Sequence, residues 1–249
     1  NKNILILLLI SVITIISISQ SAFQNGKFRC KNFMLNTYLY LILSITIIAL
    51  SVIFMDDTNA INIINNTGFG AYTMIFTFIF GIGLVIALTV MDASQIILKH
   101  ILWIIMLTIF AIPAYLSYLK QSQQGIVVQS ILGTIGVLVA FSGLVYFKPK
   151  MFLENYNAYS TMFIALLVSA VFMEIGRMFM DPNAESTQTY SRYLAYGIIA
   201  LFAFLISFDT QTLVQKAKRC NERSRYQFDR PDYISDSLGL LLDVLYIYH

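Results

Sequence analysis

Residues 36–55, NTYLYLILSITIIALSVIFM, form an apolar run long enough to be a membrane-spanning helix. It carries no charged side chain, and a helix of this length is about 30 Å long, which matches the hydrocarbon core of a bilayer. A transmembrane helix is therefore predicted here. The chain contains seven more segments of this apolar kind: 3–19, 69–90, 96–119, 126–147, 160–179, 190–214 and 233–249. The pattern predicts an all-α polytopic membrane protein with short connections between the helices.

The composition supports this prediction. Of the 249 residues, 58% are hydrophobic and only 12% are charged, whereas about a quarter of the residues of a soluble domain are charged. The net charge of +3 is too small for a nucleic-acid-binding surface. Cys30 and Cys220 have no metal-type spacing and are too few for a disulfide framework. No nucleophile with an adjacent base and no phosphate-binding loop is present, so we expect neither an enzyme nor a bound cofactor.

The first apolar segment, residues 3–19, has two possible interpretations. Lys2 before it and the small residues at its end fit a secretory signal peptide, which is normally removed. The reading that we favour is an uncleaved N-terminal anchor helix. The predicted organisation is therefore an anchor helix with a basic linker over residues 1–35, which would also suit a targeting segment, and a transmembrane domain over residues 36–249.

The basic residues predict the orientation, because cytoplasmic or matrix loops carry an excess of Lys and Arg. We call the side of the membrane that holds the loop after the first segment side A, and the opposite side is side B. Side B has Lys2, Lys120, Arg177 and Arg192. Side A has the other twelve of the 16: Lys27, Arg29, Lys31, Lys99, Lys148, Lys150, Lys216, Lys218, Arg219, Arg223, Arg225 and Arg230. Side A is therefore predicted to face the cytosol or the mitochondrial matrix.

Two acids inside predicted spans are the candidate site. Asp209 lies about five residues before the end of its helix, and Asp243 lies ten residues into the last one. These helices are consecutive and antiparallel, so the two carboxylates could meet in the interior, where such a pair tends to share one proton. We predict a proton-sensitive gate that could also bind Ca²⁺ through its oxygens. The alternative is that Asp209 bonds to a Thr or Lys near the interface and Asp243 lines no path.

Three more charged residues are accessory candidates. Asp236 is seven residues before Asp243 and shares a face of the last helix. Glu174 and Arg177 are three apart, so a salt bridge within one helix is their simplest explanation. Lys99 is not one of these three candidates. It lies at a membrane boundary and is predicted to be an interfacial anchor.

Two motifs indicate a family. FDTQTLVQKAK at 208–218 and DYISDSLGLLLDVLYIY at 232–248 resemble the aspartate motifs of the Bax inhibitor motif family. Residues 37–53, 98–116 and 193–211 are similar to its mitochondrial branch, the growth-hormone-inducible transmembrane proteins. The resemblance covers about residues 36–249. It departs in three places. Residues 89–95, TVMDASQ, lack the Arg that some members have there, and Leu241 replaces a motif tyrosine. The sequence also ends six residues after Asp243, without the basic tail that is common in relatives.

The resemblance implies a seven-helix bundle, with the first segment as an extra N-terminal hydrophobic helix. It further implies a pH-sensitive Ca²⁺ leak channel or Ca²⁺/H⁺ exchanger of the mitochondrial inner membrane, gated by Asp209 and Asp243. The alternative function is an accessory subunit of a respiratory-chain or cristae-organising assembly without transport activity. The alternative location is the endoplasmic reticulum or Golgi membrane.

Overall fold

The computed structural model of the chain describes residues 2–58, 70–124, 185–223 and 231–248. The predicted spans at 126–147 and 160–179, together with Glu174 and Arg177, lie outside the described residues. The structure is mostly helical, as predicted. Its elements are α1 (Lys2–Ser21), β1 (Phe23–Gln24), β2 (Lys27–Phe28), α2 (Phe33–Asp57), α3 (Gly70–Val90), α4 (Ile96–Gln124), α5 (Glu185–Arg223) and α6 (Tyr233–Tyr248).

Three of the described helices are long and apolar enough to cross a membrane: Ile4–Ser21, Phe33–Asp57 and Ile96–Leu119. Large side chains on the outside of α1 and α3, such as Leu5 and Val90, are exposed. Exposed apolar side chains on long apolar helices suit contact with lipid tails. The chain is therefore an integral membrane protein, in agreement with the sequence prediction.

The end of α5 differs from the prediction. The apolar segment was expected to end at residue 214, with a loop from residue 215 to 232, but α5 continues to Arg223. The added residues, QKAKRCNER, include Gln, Lys, Ala and Arg, which are good helix formers. The helix therefore extends beyond its apolar stretch, because polar residues of high helix propensity follow that stretch.

The chain divides into two compact units. One comprises Asn1–Gln129, Leu213–Leu242 and His249, and the other comprises Ser130–Thr212 and Asp243–Tyr248. In the first unit, α2 packs against α1 and α4, and α3 packs against α4. The contact between α3 and α4 is close, because a Cβ added to Gly81 would lie 3.0 Å from the Phe110 ring. Small residues at such positions let helices approach within a membrane.

A short β-hairpin with two residues in each strand follows α1. β1 and β2 pair antiparallel, with Phe23 opposite Phe28. The turn consists of Asn25 (φ 52°) and Gly26 (φ 73°), and two consecutive positive φ angles are typical of a type I′ turn. We call residues 22–32, which contain this hairpin and join α1 to α2, the linker.

Candidate functional site

Asp209 and Asp243, the two acids predicted to form the gate, both belong to the second unit. Asp209 is partly buried in α5, and Asp243 in α6 is 5% exposed. The negative charge of Asp209 acts electrostatically on the Asp243 carboxyl. The structure thus places the two acids within electrostatic range of each other, although whether they form a gate stays a prediction.

Two buried polar groups of this unit are notable. Among the described residues, the Oδ2 atom of Asp243 has no hydrogen-bond partner, and neither do the amide oxygen and nitrogen of Gln211. Gln211 is 2% exposed. A buried polar atom without a partner costs free energy, so a carboxyl in such surroundings favours holding a proton or a cation. Gln211 was not among the site residues predicted from the sequence, although it belongs to the FDTQ motif at 208–211.

Asp236, the accessory candidate, lies in the first unit and has a cationic partner. Its carboxylate forms a salt bridge with the ammonium of Lys216 from α5. The Asp236 side chain is nearly buried, whereas that of Lys216 is half exposed. This ion pair explains how the nearly buried Asp236 carboxylate is stabilised. A role of Asp236 in transport stays a prediction.

A second ion pair fixes the start of α6. The Lys99 ammonium bonds to Asp232 and donates to the Met91 carbonyl oxygen at 2.9 Å. The Lys99 side chain is 0% exposed. Asp232 also accepts the Ser235 backbone N–H at 3.3 Å, as a helix N-cap does. The prediction of Lys99 as an interfacial anchor is therefore wrong, because the buried ammonium has a carboxylate partner that lies 133 residues away in sequence.

The linker is held by hydrogen bonds within the first unit. The Arg29 guanidinium donates to the carbonyl oxygens of Gln20 (2.8 Å) and Ser21 (2.6 Å), which lie at the end of α1. The Tyr233 hydroxyl at the start of α6 donates to the Arg29 carbonyl oxygen. The buried Asn36 amide donates to the Lys31 carbonyl oxygen at 3.1 Å. Charged donors at helix C-termini satisfy the last carbonyls, so the linker closes the end of α1.

A disulfide joins Cys30 of the linker to Cys220 near the end of α5, with 5.5 Å between the two Cα atoms. The sequence predicted no disulfide framework from two cysteines, and it did not predict this single bridge. Sequence spacing contained no signal for the pairing, because the two residues are 190 positions apart and meet only in the folded chain.

Among the described residues, no metal site is visible as a cluster of ligands. In the part of the chain that the structure describes, no three His, Cys, Asp or Glu side chains come together. Ca²⁺ takes 6–8 oxygen ligands, so Asp209 and Asp243 would supply only part of a shell. Binding of Ca²⁺ at this pair stays a prediction.

Residues 30–249 match the sequence profile of a family described as inhibitor of apoptosis-promoting Bax1. The chain belongs to this family. No solved structure matches it. The match includes both aspartate motifs and begins within the linker, so α1 precedes the part of the chain shared with the Bax inhibitor family. The resemblance noted from the two motifs is confirmed at the level of the family.

Proposed function

We propose that this member of the Bax inhibitor family is a pH-sensitive Ca²⁺ leak channel or Ca²⁺/H⁺ exchanger gated by Asp209 and Asp243. The observation that supports the proposal is the environment of Asp243. Its carboxyl is buried and within electrostatic range of a second carboxylate, and its Oδ2 atom has no hydrogen-bond partner among the described residues. A carboxylate so placed is suited to exchange a proton for a cation.

The direction of the pH dependence follows from the charge of the pair. With a proton on the pair, its negative charge is reduced and cations are poorly attracted, so the path is closed. When the proton leaves, two carboxylates repel each other and attract a cation. Ca²⁺ flux is therefore expected to rise as the pH rises through the titration of the pair.

Proteoliposomes containing the full chain test this proposal through Ca²⁺ flux measured at several pH values. Asp243→Asn is expected to lower the flux by about tenfold, the factor that corresponds to one lost charge-assisted contact, and to flatten its pH dependence. Asp209→Asn is expected to act in the same direction. Asp57→Asn is the matched control, because Asp57 is an exposed acid at the end of α2.

The wild-type result is decisive. The proposal is contradicted if Ca²⁺ flux through liposomes that contain the wild-type protein does not exceed Ca²⁺ flux through empty liposomes. A normal pH profile in both Asn variants contradicts the assignment of the gate to this pair. Correct folding of each variant is checked by its thermal unfolding temperature in detergent.

For the location, we propose the mitochondrial inner membrane. The support is the resemblance of residues 37–53, 98–116 and 193–211 to the growth-hormone-inducible transmembrane branch. Fractionation of cells that express the tagged chain tests this assignment. Recovery with endoplasmic-reticulum or Golgi membranes, rather than with inner-membrane markers, contradicts it.

A further inference from the structure

The disulfide between Cys30 and Cys220 lies on the predicted side A of the membrane, where disulfides are rarely permanent. Cys30 in the linker and Cys220 in the polar end of α5 both lie beyond the apolar stretches on the predicted side A, which has twelve of the 16 Lys and Arg. This excess predicts that side A faces the cytosol or the matrix. Thiol reductants keep most cysteines reduced in the cytosol, and the disulfides found there are usually transient and redox-sensing.

The surroundings of the two sulfurs favour attack by a reductant. Cys30 is partly exposed, whereas Cys220 is buried. Exposed basic residues adjoin both cysteines in sequence, Lys31 after Cys30 and Arg219 before Cys220. Nearby positive charge stabilises a thiolate, so it helps both the approach of an attacking thiolate and the departure of the released one.

We propose that the disulfide is a reversible redox latch that fastens the end of α5 to the linker and is opened by a dithiol reductant. One thiolate of the reductant attacks Cys30 Sγ, the bond between the two sulfurs breaks, and Cys220 leaves as a thiolate that takes up a proton. The second thiol of the reductant then attacks the mixed disulfide and releases Cys30. The reductant is oxidised to its disulfide, and the two cysteines gain two electrons and two protons.

The two ends of the latch respond differently when it opens. The linker keeps its bonds from Tyr233 to the Arg29 carbonyl and from Asn36 to the Lys31 carbonyl. The α5 helix keeps the salt bridge of Lys216 with Asp236. Beyond Lys216, the disulfide is the covalent bond that ties the described part of α5 to the linker. Reduction is therefore expected to loosen residues 217–223 and to leave the linker in place.

Thiol counting on the full chain in detergent provides the first test. Cys30 and Cys220 are the only two cysteines of the sequence, so the result needs no background correction. Protein purified without reductant is expected to react with no maleimide-polyethylene glycol, and with two equivalents after native incubation with dithiothreitol. Two reactive thiols before reduction would overturn the proposal. So would a disulfide that dithiothreitol opens only after denaturation.

Hydrogen exchange with mass spectrometry provides the second test. Reduction is expected to speed amide exchange in residues 217–223 by about tenfold, while exchange in residues 23–31 stays unchanged. Cys220→Ser without reductant should reproduce the fast exchange. The double variant Cys30→Ser, Cys220→Ser is the control, because dithiothreitol should not alter it. Equal exchange in the oxidised and reduced wild type overturns the latch, and neither test depends on whether the chain conducts Ca²⁺.

Discussion

Lys99 is a fully buried lysine in a chain with few charges. An ammonium without water needs a carboxylate and further acceptors, and Asp232 and the Met91 carbonyl supply them. A buried ion pair contributes little net stability, but the loss of one partner leaves the other charge uncompensated. The pair thus specifies where α6 begins relative to α4.

Lys99→Met is expected to lower the free energy of unfolding by about 2 kcal/mol. Loss of one member of a buried pair costs about 3–5 kcal/mol, and the value is smaller here because the Asp232 side chain is 21% exposed. Thermal or denaturant unfolding in detergent measures the change. Lys218→Met, at an exposed position of α5, is the control and should have little effect.

The double variant Lys99→Met, Asp232→Asn separates charge from packing. It removes both charges, so it should be more stable than Lys99→Met alone. A double variant that loses the sum of the two single effects would show that the two residues are independent, contrary to the salt bridge.

At the scale of elements, the turn of the hairpin requires an uncommon backbone conformation. Gly26 has a φ of 73°, which a residue with a Cβ adopts at a cost of about 1–2 kcal/mol. An added Cβ would meet no atom within 4 Å. Gly26→Ala is therefore expected to lower the free energy of unfolding by about 1 kcal/mol through backbone strain alone.

Gly83→Ala is the matched control for this substitution. Gly83 lies within α3, and an added Cβ there also meets nothing within 4 Å. Alanine is favoured over glycine in a helix by about 1 kcal/mol, so the same chemical change should stabilise the protein. Chemical denaturation of both variants measures the two shifts, and shifts of equal sign would contradict the backbone argument.

The helices were predictable because each needs only local information, the length of an apolar run. The helix that contains residues 36–55 was placed within three residues at each end. The turn at Asn25 and Gly26 has a local signal too, since Asn-Gly favours a type I′ hairpin, although the hairpin was not predicted. The extension of α5 was missed because hydropathy does not measure helix propensity.

Pairs of side chains that are distant in sequence could not be predicted from the sequence alone. Asp209 and Asp243 were paired because they lie on consecutive antiparallel spans. The partners Lys99 and Asp232 are separated by 133 residues, and only the folded chain brings them together. Nothing in the composition indicates which lysine meets which aspartate.

At the scale of the whole molecule, the distribution of basic residues predicts a fixed orientation. The end of α5 should lie on side A and the end of α2 on side B. In a background of Cys30→Ser, Cys220→Ser, a membrane-impermeant maleimide should label Lys218→Cys from one face of sealed vesicles and Asp57→Cys from the other. Both positions are exposed. Labelling of both from the same face would contradict the orientation.

The disulfide also has a consequence for the biogenesis of the protein. Cys30 leaves the ribosome 190 residues before Cys220, which takes about 10–40 s at ordinary rates of synthesis. Throughout that interval Cys30 is a thiol without its disulfide partner, because Cys220 is the only other cysteine of the sequence. The bond closes only after α5 has been made, so its presence marks chains whose insertion has brought both ends to the same face.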